Sequence, residues 1–408
     1  PETIILDYGG PNIAKPLHVG HLRSAIIGEC LKRLFRASGH TVIGDIHMGD
    51  WGLPMGQLIT EVKRERSELP YFDAGFTGPY PEQSPVSLDD LERLYPQASA
   101  ACKADPARAA EARQATAELQ AGRPGYRALW AQFLAISRAA IEREYEELGV
   151  TFDWWKGEAD ADPLIAPMIE KLRQDGLTEI DEGAEIMRLA RPGDKKDLPP
   201  LILYKSDGAV MYGTTDLATI LDRRETARPD RILYVVDGRQ RDHFEQVFRA
   251  ADKAGIFPED RLEHLWFGTM NGKDGKPFKT RAGGVLKLRD LIGQVQTAAF
   301  QRMIENDIVK GLTESEAEDV KRKVGVAALK FADLSNPRTS DYIFDLDRFT
   351  SFEGKTGPYL LYASVRARSI LRKAAEAGGG GAGAIAVGEP EERALALMLL
   401  QFGEAVKD

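Results

Sequence analysis

Residues 4–43 carry the pattern that most restricts the fold: a strand, a Gly/Pro turn, a helix and a second strand in direct succession. Ile4-Ile5-Leu6 is a short β-branched run, and Gly9-Gly10-Pro11 breaks it. Leu22, Ile26, Leu31, Leu34 and Phe35 then fall roughly at helical spacing, which predicts a helix from about Gly20 to Ser38. Gly39 suits the helix end, and Thr41-Val42-Ile43 reads as the next strand. A βαβ unit of this kind predicts an α/β protein with a parallel sheet and ligands at the strand ends.

Beyond Trp51-Gly52 the pattern loosens. Residues 98–122 are rich in alanine and charge, hence helical with little apolar stripe, and about 53–125 reads as an insertion into the sheet domain. A strong helix follows, with Trp130, Phe133, Leu134, Ile141, Tyr145 and Leu148 on its inner side. Glu185-Ile-Met-Arg-Leu and Leu201-Ile-Leu-Tyr are expected strands of a second small insertion, taken as 159–211. Arg231-Ile-Leu-Tyr-Val-Val is a clear strand leading into a helix from Asp242 to about Gly255. Residues 288–345 read as helices, and another starts near Pro358. The Gly-rich stretch from Gly378 is a linker by composition, and a helical pattern returns at Glu391 and stops without a natural end. With Pro1 rather than Met at the start, part of a longer protein is expected.

No apolar run is long enough for a bilayer span, so no membrane partner is expected. Cys30 and Cys102 are the only cysteines, with no Cys-x-x-Cys spacing, which argues against a zinc knuckle or a disulfide scaffold and fits a reducing cytoplasm. The formal net charge of -9 argues weakly against nucleic-acid binding. Basic clusters nevertheless occur at Lys195-Lys196, from Lys273 to Arg289 and from Arg366 to Lys373, and net charge does not report local patches.

The turn between first strand and first helix reads Asn12-Ile-Ala-Lys15-Pro-Leu-His18-Val-Gly20-His21. Histidines three apart at a helix entry point the same way. The helix start offers unpaired N–H groups and the positive end of its dipole, Lys15 adds a charge, and Gly20 leaves room for a flat base. Such a turn suits a nucleotide triphosphate; a His-x-x-His alone is more often an incidental surface pair, and its position after a Gly/Pro turn in a βαβ unit strengthens the functional reading. Lys276-Pro-Phe-Lys279-Thr280 forms a second basic, Gly-flanked loop, which a solvated hairpin would also explain. Tyr212 and Asp216 share one face of a helix at i, i+4.

The long string from Gly10 to Ser24, with His18-Val-Gly-His21 at its centre, resembles the HIGH signature of class I aminoacyl-tRNA synthetases, and the arginyl enzymes in particular. His47-Met-Gly-Asp-Trp-Gly52 is similar to the same family. The loop at Lys276 and Lys279 resembles a degenerate KMSKS loop, with Met-Ser replaced by Pro-Phe. Phe152-Asp-Trp-Trp-Lys-Gly-Glu158, Tyr212-Gly-Thr-Thr-Asp216-Leu and Tyr234-Val-Val-Asp-Gly-Arg-Gln240 with His243 resemble the segments that border the amino acid and the ribose. Ser351 to Arg372, with aromatics among arginines, resembles the entry to a helical anticodon-binding domain, though an ordinary amphipathic helix has the same look.

The resemblance implies a Rossmann-like catalytic domain over 1–287, a helical stem-contact region over 288–350, and the incomplete start of an all-α domain over 351–408. It implies activation of arginine by ATP and transfer to tRNA(Arg), with tRNA needed for activation and a monomer expected. ATP would enter with Mg2+ and no protein-bound metal is expected. The implied catalytic residues are Lys15, His18, His21, Lys276 and Lys279. Asn12, Glu158, Tyr212, Asp216 and Gln240 would bind arginine; His18, Gly20, His21, His243 and Lys279 would bind ATP. Carboxylates suit the planar fork of a guanidinium. The nucleophile, arginine's own carboxylate, is already ionised, so positioning and charge stabilisation should carry the reaction, with the two histidines and lysines supplying charge. A ligase of another small acid in the same nucleotide-binding superfamily, and a non-catalytic paralogue that only binds RNA or partner proteins, are the competing readings.

Overall fold

The computed structural model describes residues 1–194, 198–276, 286–379 and 385–407. β1 (Thr3–Tyr8), α1 (Val19–Ala37) and β2 (Thr41–Met48) form the expected βαβ unit, with β1 and β2 parallel and Ile4 opposite Val42. β1 lies mid-sheet, so Ile4, Ile5 and Leu6 are wholly buried, as a central parallel strand demands. Gly39, at φ 91°, lets the chain leave α1 and turn into β2.

Four helices follow: α2 (Leu53–Glu65), α3 (Leu88–Ala104), α4 (Pro106–Gln120) and α5 (Pro124–Glu147). Leu58, Ile59, Leu91, Leu94 and Leu119 share one apolar core with β1 and β2, so this segment is packed into the sheet domain. The sequence shows little stripe on α4 because its buried face is built of Ala112, Ala115 and Leu119. Small residues let α2 approach closely: a Cβ on Gly56 would lie 2.2 Å from the Ala112 carbonyl.

β3 (Trp154–Gly157) and α6 (Glu158–Gln174) return the chain to the sheet. β4 (Glu179–Asp181), β5 (Ala184–Met187) and β6 (Leu201–Tyr204) make a separate antiparallel sheet, the expected second insertion. α7 (Tyr212–Ala227), β7 (Arg231–Val235), α8 (Arg241–Lys253) and β8 (Leu262–His264) complete the main sheet, ordered β3-β2-β1-β7-β8 and parallel throughout. The chain leaves β1 toward β2 and later fills the other side with β7, so the order switches between β1 and β7. In open parallel sheets the crevice beyond the strand ends at such a switch is where ligands bind.

β9 (Met270–Asn271) precedes α9 (Leu288–Glu305) and α10 (Glu314–Leu334). β10 (Tyr342–Ile343) pairs parallel with β9, an element inside the stretch expected to be purely helical. Two residues of strand are too short to leave a periodic signal. α11 (Leu346–Phe349), α12 (Gly357–Glu376) and α13 (Pro390–Lys407) end the chain. α12 docks on α10 through Gly357, where a Cβ would lie 2.1 Å from the Ala327 carbonyl.

Candidate active site

The turn after β1 is held from three sides at the switch point. Gly9, at φ 72°, donates its N–H to Ser24 Oγ at 2.7 Å, and Ser24 Oγ donates to the Val235 carbonyl at 2.6 Å. α1 is thereby tied to the ends of both β1 and β7. The Tyr145 hydroxyl donates to the Gly9 carbonyl at 2.6 Å. Asn12 pairs with Gly49, where a Cβ would lie 2.2 Å from Asn12 Oδ1.

His18 is the N-cap of α1. Its Nδ1 accepts the Gly20 N–H at 3.0 Å, while His21 Nδ1 accepts the His18 N–H at 3.0 Å. With both Nδ1 atoms accepting, the proton of each neutral ring sits on Nε2. Burial, then the nearby Lys15 and Arg239, lower the proton affinity of His18. Burial, then His18, push His21 down to about 3. These rings are therefore neutral near pH 7, which corrects the expectation that they bring charge; they offer Nε2–H donors instead. The helix start also differs from the open anion site expected. The Val19 N–H goes to the Leu286 carbonyl at 3.1 Å, and the Gly20 N–H is taken by His18. Gly20 is required by that cap, since a Cβ would lie 2.7 Å from the His18 ring. Lys15, half-buried, holds its ammonium 4.5 Å above the ring of Tyr95 on α3.

The acidic side lies at the ends of β2 and β3 and on α7. Glu158 opens α6, and its carboxylate accepts the Trp51 N–H. Burial, then Asp216, push its carboxyl up to about 7. Asp216 Oδ2 meets His243 Nε2 at 2.5 Å, which joins an expected arginine residue to an expected ATP residue. Asp216 makes no other ion pair among the described residues. Tyr212, one turn earlier on α7, is 72% exposed and lies within electrostatic reach of Glu158 and Tyr95. Gln240 is exposed on the turn Gly238–Gln240 just before α8.

Lys276 is exposed in a tight turn: its N–H donates to Asp274 Oδ1 at 3.1 Å and its carbonyl accepts the Gly272 N–H at 2.8 Å. Lys279 lies outside the described residues, as do Lys195 and Lys196. The chain resumes at Leu286 against the histidine turn, where the Leu288 N–H donates to the Leu17 carbonyl at 2.9 Å. Lys273 pairs with Asp345 at 3.3 Å and Asp347 at 3.0 Å, partners distant in sequence.

Two residues at this site, Tyr95 and Arg223, carry no signal of their own in the sequence, and Asp50 stood out only as part of its string. Asp50 and Tyr95 act through tertiary neighbours. Arg223 is wholly buried, with its guanidinium 2.5 Å from Asp7 and 2.7 Å from Asp45, and pins α7 to β1 and β2. Tyr212, Asp216, Thr219 and Arg223 follow helical spacing, which is the signal that could have found it. No group of three or more His, Cys, Asp or Glu arranged to hold a metal occurs among the described residues.

The model of the family "tRNA synthetases class I (R), catalytic domain" matches residues 1–346. The arginine–tRNA ligase of Maricaulis maris is 57% identical over 406 residues, which is 100% of this chain and 69% of that protein. That of Hyphomonas neptunium is 55% identical, over 98% of this chain and 68% of that protein. Among solved structures, the arginyl-tRNA synthetase of Plasmodium falciparum superposes with a TM-score of 0.75 at 26% identity, over 91% of this chain and 59% of that one. The Thermus thermophilus arginyl-tRNA synthetase shares the fold, with a TM-score of 0.76 over 100% of this chain and 70% of that one, at 23% identity. The chain belongs to the class I arginyl-tRNA synthetase family, and residues 1–346 carry that family's catalytic domain.

Proposed function

We propose that the protein activates L-arginine with ATP and transfers it to the terminal adenosine of tRNA(Arg), with tRNA required for the activation step. The observation that carries the reading is the acidic recess of Glu158 and Asp216 at the strand ends. Glu158 makes no ion pair among the described residues, and Asp216 keeps one oxygen clear of His243. A guanidinium supplies the missing cation in a geometry two carboxylates can meet. Neutral histidines presenting Nε2–H groups suit the phosphate oxygens of ATP, where charge builds in the transition state.

In this reading Glu158, Asp216, Tyr212, Gln240 and Asn12 hold the amino acid with its carboxylate toward the α-phosphorus. His18, His21, Lys15, Lys276 and Lys279 stabilise the phosphoryl transition state, and His243 orients Asp216. Mg2+ arrives with the ATP phosphates. α12 and α13 open a helical domain that reads the tRNA; Tyr359, Tyr362 and Val365 on α12 are exposed beside Arg366 and Arg368. Both cysteines are free, as suits a reducing cytoplasm. No helix among the described residues is long and apolar enough to cross a membrane.

The test is ATP–pyrophosphate exchange with each amino acid, with and without tRNA(Arg). Exchange should appear with arginine alone among the amino acids, and only once tRNA is present. Arginine-dependent exchange without tRNA removes the tRNA requirement; exchange with another amino acid removes the assignment of arginine.

A further inference from the structure

Two acids at the ends of β2 and β3 are tied to each other's backbone. After β2 the chain turns through Gly49-Asp50-Trp51; after β3 it enters α6 at Glu158. Asp50 Oδ1 accepts the Ala159 N–H at 3.0 Å, and the Glu158 carboxylate accepts the Trp51 N–H. Each turn gives a backbone donor to the other's acid. The approach is close enough to require glycine at 157, since a Cβ there would lie 2.5 Å from Asp50 Oδ2. Trp130 Nε1 fixes the turn from α5, donating to the Asp50 carbonyl at 2.7 Å.

Asp50 is 2% exposed, and neither acid has an ion-pair partner among the described residues. The groups around them are His47 on β2, Arg127 of α5 above the Trp51 ring, Asp160 on α6, and Tyr212 and Asp216 on α7, the last engaged by His243 of α8. Among the described residues, acids surround the pair without a cation paired to it. Adjacent buried carboxyls resist joint ionisation, and burial pushes each of these up to about 7.

We propose that Asp50 is a positioning residue for the arginine site: it fixes Glu158 at the head of α6 and shares with it a proton that leaves when a guanidinium enters. The proposal rests on the reading of Glu158 as a guanidinium ligand. The cation replaces the proton as the partner of the acid pair, so arginine binding and proton release are linked. Asp50 itself meets no substrate atom; its effect passes through the place and charge of Glu158.

Calorimetric titration of the protein with L-arginine, in buffers of differing ionisation enthalpy, counts the protons released. The wild type should release up to about one proton per arginine near pH 6.5 and almost none by about pH 9, with affinity tightening as pH rises. Asp50→Asn retains an oxygen for the Ala159 N–H but removes the neighbouring charge, so Glu158 should ionise at lower pH. Arginine should still bind, and the release curve should move to lower pH, a displacement that a merely structural role would not produce. Arginine binding by the wild type without proton release overturns the proposal, as does an Asp50→Asn curve that superimposes on it. A wild type that binds no arginine at any pH overturns the underlying assignment of the site instead.

Discussion

Glu158→Gln keeps the shape of the side chain and removes the charge that a guanidinium would meet. A hydrogen bond to a charged group contributes about 1.5–3 kcal/mol, so the arginine Kd should rise roughly 10- to 150-fold, by calorimetry at pH 8. The same change should stabilise the fold. In the folded chain the Glu158 carboxyl is raised from 4.5 to about 7 and that of Asp50 from 3.8 to about 7. A raised acid contributes its full stability below its unfolded value and loses it as pH climbs through the folded value. His21 moves the other way, from 6.5 to about 3, so its contribution is present above 6.5 and fades toward 3. Glu158→Gln should therefore gain about 1–3 kcal/mol at pH 8 after allowance for partial solvation, and nothing near pH 4, by denaturant midpoints. An equal gain at both would show that the residue is not raised. His18 and His21 stood out in the sequence because their string is long and idiosyncratic, and Glu158 and Asp216 only because their short segments resemble the family's. The protonation of His18, His21 and Glu158 did not, because it depends on burial and on which nitrogen a backbone N–H occupies.

The helix α7 shows what holds such residues in place. Its stripe runs from Tyr212 and Asp216 at the site to Arg223 beneath the sheet ends, where Asp7 and Asp45 receive the guanidinium. Arg223→Ala leaves two acids buried without their cation, a class of change that costs about 3–5 kcal/mol. Because α7 also carries Asp216, arginine affinity should fall with stability in Arg223→Ala, and Arg223→Lys should recover only part of each, by thermal melts and calorimetry on the same samples. Undiminished stability in Arg223→Ala would mean that the clasp does not anchor the helix. Elements with a full apolar period, such as β1, α1, β7 and α8, were legible from sequence because burial imposes that period. β3 was not: it is four residues of Trp-Trp-Lys-Gly whose first three are only half-buried. α4 was legible as a helix but not as a core element, since alanines bury a face without announcing it.

At the scale of the whole molecule, the turn after β1 and the start of α9, distant in sequence, both meet α3. On α3, Tyr95 lies under Lys15 while Glu92 receives Lys287 at 2.6 Å and Arg289 at 3.2 Å. Leu286 and Leu288 are hydrogen-bonded to Val19 and Leu17, so the described chain resumes directly on the histidine turn. Lys15 thus lies in a turn joined to the chain at Leu286 and Leu288, and the proposed function has Lys15 and Lys279 both acting on the phosphates of ATP. A lysine that acts only in the transition state lowers kcat and kcat/KM together and leaves the KM for ATP almost unchanged. Single-turnover adenylate formation should slow in Lys279→Ala and in Lys15→Ala. The double variant should lose less than the product of the two, because groups acting on the same phosphates are not independent. A partial loss in Lys279→Ala is expected where Lys15 shares the charge. Adenylate formation at the wild-type rate in Lys279→Ala would make the loop a structural turn, and a double variant equal to the product would place the two lysines on separate tasks.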